Sequence, residues 1–235
     1  MTVTAVPASP AAPPVVVSDM DGTLATVDTW RGVHAWIRAC YPSRDADRFV
    51  RIRLPSIVKA RVFGRDKEGF RARWQEDQAR LLKGMDAGRL DELAAAVVED
   101  HLWPSRRQVA VDAVHAAIDA ARATDAEARL VLATGAWQPV ADAFARRLGA
   151  DLALGTPLEV RDGVVTGRTV VPTQSGIQKA AAVRALAAGA PVVAAFGDTA
   201  ADVPLLELAL RPVAVAPDGK LRREAIRRGW EVLGD

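Results

Sequence analysis

Asp19 and Asp21 stand two residues apart, directly after the β-branched run Val15-Val16-Val17, and Asp198 closes the apolar run PVVAAFGD. Thr134 ends RLVLAT, just before Gly135, and Lys179 opens a helical stretch. If the apolar runs are strands of one open parallel sheet, these side chains gather at its carboxyl end, where such sheets bind ligands. Three carboxylates converging there repel one another unless a cation neutralises them. Hard oxygen donors of this kind suit magnesium, which binds through one or two carboxylates together with substrate phosphate.

The elements needed to position these groups are legible. Runs that are apolar on consecutive positions suit strands covered on both faces. Four such runs occur: 15–17, 129–134, 191–198 and 212–217. Helical stretches lie between them: 108–123, with Val111, Val114, Ile118 and Ala121 at helical spacing, then 139–148 and 177–188. Alternating strands and helices predict an α/β fold, a Rossmann-like and mostly parallel sheet with helices on both faces. Two parts break the rhythm. Residues 158–171 carry Asp162-Gly163 between apolar runs and read as a β-hairpin. From about 28 to 103 no strand is apparent, and an Arg-rich helical composition is punctuated by Pro42, Pro55, Gly64, Gly84 and Gly88. The expected organisation is a flexible tail at 1–14, an α/β core at 15–27 and 104–235, and an inserted helical domain at 28–103.

Composition narrows the function classes. The 235 residues carry 31 Lys and Arg against 29 Asp and Glu, a net charge of +2 that gives no general argument for nucleic acid or membrane binding. No run of about 18 apolar residues predicts a membrane span. The Ala- and Pro-rich opening lacks the parts of a secretory signal. The single cysteine, Cys40, excludes an intramolecular disulfide framework, fits a reducing cytoplasm, and is expected to be a small buried hydrophobe.

The motifs resemble those of the haloacid-dehalogenase-like (HAD) superfamily. Asp19-Met20-Asp21-Gly22-Thr23-Leu24 after a hydrophobic strand resembles its first motif, and Thr134-Gly135 its second. Lys179 in SGIQKAAAV resembles the third, and Gly197-Asp198-Thr199-Ala200-Ala201-Asp202 the fourth. Taken singly, Thr134 is better explained as a strand-end hydroxyl and Lys179 as a solvated helix residue; four motifs in the family's order carry the inference. The resemblance implies that Asp19 attacks phosphorus and carries a covalent intermediate. Asp21 then protonates the leaving oxygen and later activates water. Thr134 and the Gly135 amide hold phosphate oxygens, and Lys179 compensates the charge of phosphate and Asp19. Asp198, a carboxylate oxygen of Asp19 and the main-chain carbonyl of Asp21 are the implied Mg2+ ligands. Asp202 is implied as a helper in positioning, and Thr23 as the hydrogen-bond partner of Asp21.

The insertion directly after the first motif resembles the family's first type of cap (C1). The stretch Leu148-Gly149-Ala150-Asp151, the hairpin after it and the tail PVAVAPDGKLRREAIRRGWEVL are similar to the phosphoserine-phosphatase-like branch, subfamily IB. Departures are mild: Trp137 is bulky beside the second motif, and Thr199 replaces the commoner serine. The resemblance implies a cytoplasmic, magnesium-dependent phosphatase acting on a small phosphorylated metabolite. Dehalogenases lack the acid–base residue that Asp21 supplies, and the ion-pump relatives need membrane spans. The nearest rival is a phosphotransferase passing the phosphoryl group to an alcohol, which a product assay with and without acceptors separates. A lipid phosphate headgroup as substrate requires a basic surface that binds anionic vesicles. A silent binding protein on the same fold would be marked by loss of Asp19 or Asp21, and both are present. Substrate choice falls to the insertion, where Trp30, Arg31 and His34 follow the first motif and are candidate pocket residues. Residues 44–73 hold ten Lys or Arg against four Asp or Glu, which reads as an anion-recruiting surface or a solvated helix face. Trp74 reads as packing rather than substrate stacking, Trp30 and Trp36 read equally as core residues of the insertion, and His101 and His115 are not spaced like a metal site.

Overall fold

The computed structural model describes residues 12–40, 67–172 and 176–234, with side chains from residue 74 onward in the second segment. Six strands form one sheet: β1 (Val15–Ser18), β2 (Arg129–Trp137), β3 (Leu152–Thr156), β6 (Val192–Gly197), β7 (Ala209–Val215) and β8 (Glu231–Leu233). Their spatial order is β3-β2-β1-β6-β7-β8, and every neighbouring pair is parallel. The consecutive apolar runs have a direct cause. Val16, Leu130, Leu132 and Phe196 pack on one face of the sheet, while Val15, Val17, Val131 and Ala195 pack on the other. With both faces covered, the central strands are apolar on consecutive positions, and buried polar residues come toward their carboxyl ends, Ser18 in β1 and Thr134 in β2.

One face is covered by α4 (Gln108–Thr124) and α5 (Gln138–Leu148). The other is covered by α6 (Gly176–Ala187), α7 (Val203–Leu206) and α8 (Gly219–Arg228). Val111, Val114, Ile118 and Ala121 form the buried side of α4, as their spacing requires. The outer strands β3 and β8 are short, partly exposed edge strands, whose apolar stretches Leu152-Ala153-Leu154 and Val232-Leu233 were not read as strands.

Between β1 and β2 the described chain is helical: α1 (Thr29–Cys40), α2 (Lys67–Leu81), α3 (Arg89–Val97), a π-helical turn at Val98–Leu102, then α4. The buried faces of α1 and α3, including Val33, Trp36, Ile37, Leu93 and Val97, join the same apolar cluster as α4, α5 and one face of the sheet. The hairpin β4 (Leu158–Arg161) and β5 (Val164–Thr169) turns at Asp162 and Gly163, both at positive φ (50° and 76°), the two-residue turn that Asp-Gly favours. It is tied to the insertion by backbone hydrogen bonds from Gly84 to Val165, Val165 to Met85 and Ala87 to Gly163, at 2.8–2.9 Å. The hairpin is thus a buttress between core and insertion.

Cys40 corrects an expectation. It ends α1 exposed, three residues beyond Ile37, the last buried residue of that helix. Most of the tail at 1–14 and most of the basic stretch at 44–73 lie outside the described residues.

Candidate active site

β1, β2 and β6 deliver the predicted groups to the carboxyl end of the sheet. Asp19 follows β1 and is buried; its amide continues the ladder to Phe196 at 3.0 Å. The turn that follows closes through Leu24 N–H and Ala25 N–H to the Met20 carbonyl and Gly22 N–H to that of Ala25. Gly22 sits at φ +88°, and a Cβ there would lie 2.1 Å from Oδ2 of Asp198. Only glycine lets the turn adopt this conformation and lets the carboxylate after β6 approach it.

Lys179, in the first turns of α6, is buried, and its ammonium donates to Oδ1 of Asp19 at 2.8 Å and Oδ1 of Asp202 at 2.5 Å. The close seating of α6 depends on Gly176, since a Cβ there would fall 1.7 Å from the carbonyl oxygen of Ala201. Asp202 closes a 3-10 turn (Ala200–Asp202) after β6, and its Oδ2 accepts from the amide and hydroxyl of Thr199 at 3.1 and 2.9 Å. Thr23 donates to Oδ2 of Asp19 at 3.2 Å and Oδ1 of Asp198 at 3.3 Å. Ligand atoms of Asp19, Asp198 and Asp202 lie within 4.8 Å of one another.

Charge shapes the titration of these groups. Burial holds the Asp19 carboxyl above the ordinary range, with the Asp202 carboxylate adding to that push and Lys179 opposing it. Burial also presses Asp202 upward, but the Lys179 charge and the hydrogen bonds from Lys179 and Thr199 outweigh it and leave Asp202 below the ordinary range. Lys179 is pushed up: desolvation disfavours its charge, and the two carboxylates more than compensate. Asp19 and Asp202 face the Lys179 ammonium, and Asp198 stands in the same cluster of carboxylates. Their clustered hard oxygens fit a divalent cation such as magnesium, which would lower Asp19 again.

Thr134 is buried, and its Oγ accepts from the Ala136 amide at 3.1 Å. That peptide is pinned at both ends, because the Gly135 carbonyl accepts from Thr156 at 3.0 Å. β2 does not stop at Gly135, as its sequence suggested, but continues to Trp137. The register with β3 jumps from Ala133 opposite Leu154 to Trp137 opposite Thr156, so Thr134, Gly135 and Ala136 form a bulge. A bulge frees backbone groups from the ladder and re-aims a side chain. With one lone pair of Thr134 engaged by Ala136, its O–H remains able to donate.

One expectation changes. Thr23 does not hold Asp21; it bonds Asp19 and Asp198 instead. Oδ1 of Asp21 accepts from the hydroxyl and amide of Thr29, at 2.6 and 3.1 Å. The carboxylate cluster is made by Asp19, Asp198 and Asp202, and the contribution expected of Asp21 to a metal was its main-chain carbonyl. Trp30, Arg31 and His34 lie on α1. The Trp30 ring meets Trp74 edge-on at 5.2 Å, Arg31 stacks on it at 5.0 Å, and Gln78 donates to its carbonyl at 3.0 Å. Trp36 and Trp74 are buried, and His115 bonds the Leu148 carbonyl at 2.9 Å, in keeping with packing roles. Sequence reasoning missed Thr29 and Gln138. Gln138 ties the start of α5 to β3 through the Ala153 carbonyl and the Gly155 amide, at 3.0 and 2.7 Å. Neither carries a motif signal, because each contact depends on where a helix begins.

A strand-end aspartate paired with a buried lysine and flanked by two further carboxylates, on a parallel sheet with a helical insertion after β1, defines a class of hydrolase. The pattern describing haloacid dehalogenase-like hydrolases matches residues 16–207, and the chain belongs to that family. A putative hydrolase of Mycobacterium leprae is 31% identical over 226 residues, covering 91% of this chain and 70% of that protein. The phosphoserine phosphatase SerB1 of Mycobacterium tuberculosis is also 31% identical over 226 residues, covering 91% of this chain and 68% of its own length. A solved protein of unknown function from Bordetella pertussis Tohama I superposes with a TM-score of 0.72 at 26% identity, over 94% of this chain and 98% of its own. The chain is an enzyme of the family's phosphatase type, similar to its phosphoserine-phosphatase-like members. Among the described residues, no helix is long and apolar enough to cross a membrane.

Proposed function

We propose that the protein is a magnesium-dependent phosphatase of the cytoplasm that hydrolyses a small phosphate monoester through a phospho-aspartate on Asp19. The observation that carries this reading is the setting of Asp19: a buried carboxylate 2.8 Å from the Lys179 ammonium, clustered with Asp198 and Asp202. In that setting Asp19 attacks phosphorus, and Lys179 offsets the negative charge of nucleophile and phosphoryl group together. The Thr134 hydroxyl and the Gly135 amide hold phosphoryl oxygens. Asp21 delivers a proton to the leaving alcohol, then takes one from the water that hydrolyses the acyl phosphate. Asp202 fixes Lys179, and Thr23 joins Asp19 to Asp198. Asp19, Asp198 and the Asp21 carbonyl would hold Mg2+, with Asp202 beside them; bound there, the ion neutralises charge on the phosphoryl oxygens.

The insertion, about residues 28–103, serves on this reading as a cap over the catalytic end of the sheet. Trp30, Arg31 and His34 on α1 are its candidate specificity residues. The test is phosphate release from a panel of phosphorylated metabolites, phosphoserine among them, with magnesium, with chelator and with Asp19→Asn. Turnover that requires the metal and disappears in Asp19→Asn is expected. Turnover that survives both treatments would refute the mechanism.

A further inference from the structure

Asp19, Asp198 and Asp202 take their partners from the core: Lys179 on α6, Thr23 in the turn after β1, and Thr199 after β6. Asp21 is held differently. Its Oδ1 receives two donors from one residue, the hydroxyl of Thr29 at 2.6 Å and its amide at 3.1 Å. Thr29 is buried and is the first residue of α1, the helix that opens the insertion. An acceptor for the first amide of a helix needs a single bond. The second and shorter bond, from the hydroxyl to the same oxygen, fixes the rotation of the carboxylate as well as its distance.

We propose that Thr29 is the positioning residue for the acid–base Asp21, and that through it the placement of α1 sets whether the leaving oxygen receives its proton. This rests on the phosphatase reading above. In the first half-reaction an Asp19 oxygen–phosphorus bond forms and the bond from phosphorus to the alcohol oxygen breaks. The electron pair leaves on that oxygen, which takes the proton of neutral Asp21. In the second, a water oxygen bonds phosphorus, its proton returns to the Asp21 carboxylate, and the Asp19–phosphorus bond breaks to release orthophosphate. An alkoxide leaving group needs the proton; p-nitrophenolate, a stable anion, does not. A misaligned Asp21 is therefore felt selectively with alkyl phosphates.

The experiment measures kcat/KM, which reports the phosphorylation half, for the best alkyl phosphate of the panel and for p-nitrophenyl phosphate. Thr29→Val is expected to lower the alkyl value about 10–100-fold and the alkyl-to-aryl ratio by about tenfold or more, within the range of general-acid contributions. Thr29→Ser, which keeps the hydroxyl, restores the ratio, and Thr29→Val adds nothing to the ratio already lowered by Asp21→Asn. The ratio cancels the folded fraction, so partial loss of folding does not blur it, and Thr29→Ala gives a second reading if the valine variant fails to fold. Equal losses with both substrates, an unchanged ratio, or failure of serine to restore it overturns the proposal. Turnover insensitive to Asp19→Asn instead overturns the reading on which it rests.

Discussion

The catalytic end of the sheet and the helical insertion are held together by different physics. At the sheet, a buried ammonium bridges carboxylates from two elements, and threonine hydroxyls take up the remaining oxygens. In the insertion, α1 and α3 are seated mainly by Val33, Trp36, Ile37, Leu93 and Val97, and a polar tie from Gln78 on α2 to the Trp30 carbonyl lies beside them. Apolar contact is non-directional, and cores keep their fold under many hydrophobic substitutions. Hydrogen-bonded charges in a dry site tolerate neither a changed length nor a lost partner. On the proposed function, the first region would fix the reaction, while the second would be free to change what is recognised.

The strongest way to break this contrast is Asp19→Asn. Loss of the attacking carboxylate is expected to reduce turnover by about 10³-fold or more, since removing a nucleophile costs nearly the whole catalytic assembly. Lys179→Met should come next, lowering kcat by roughly 10²–10³-fold through lost charge stabilisation. It also strands two buried carboxylates, so urea unfolding of the metal-free protein should show a loss of about 3–5 kcal/mol. If the variant keeps wild-type stability, the buried network does not set the geometry of this end of the sheet.

Gly176→Ala sharpens the comparison without touching a charged group. Its Cβ would strike the Ala201 carbonyl and push α6 outward, carrying Lys179 away from Asp19. A displacement near 1 Å can cost on the order of 10²-fold in kcat. Trp30→Ala on α1 should act oppositely, raising KM by a few-fold to about tenfold with kcat little changed, the signature of lost ground-state binding. A kcat effect at Trp30 as large as that at Gly176 would dissolve the distinction between the two regions.

How much of this was legible in the sequence follows from the same contrast. β1, β2, β6 and β7 were visible because burial on both faces forces continuous apolar runs, and the hairpin was visible because Asp162-Gly163 adopts two positive φ angles at low cost. The edge strands β3 and β8 were not, because their apolar stretches of three and two residues are too short to tell a strand from the end of a helix or loop. Asp19, Asp198, Lys179 and Thr134 were placed by motif and converge on one end of the sheet. The partner of Asp21 differs from the one the resemblance implied: Thr23 bonds Asp19 and Asp198, and the point at which α1 begins lets Thr29 reach Asp21. Trp30, Arg31 and His34 lie on α1, yet their types alone gave no direction, since aromatic and basic side chains pack helices as readily as they line pockets.

The smallest effect belongs to the buttress between the regions. Glu159 on β4 is held below the ordinary carboxylate range by the Thr166 hydroxyl and by Arg161. A carboxylate depressed by folding contributes stability that is present above its unfolded value, near 4.3, and is lost as pH falls through the folded one. The melting temperature of Glu159→Gln should therefore lie slightly below wild type at neutral pH, with the gap closing as the solution is acidified below about pH 4. Because the pair is solvent-exposed, added salt should shrink the gap as well. Phosphate release at neutral pH should change little, since the hairpin touches the insertion through backbone bonds from Gly84, Val165 and Ala87 that the substitution leaves in place. A clear loss of activity in Glu159→Gln would mean that the hairpin transmits strain to the catalytic end, and that the two regions are coupled more tightly than their packing implies.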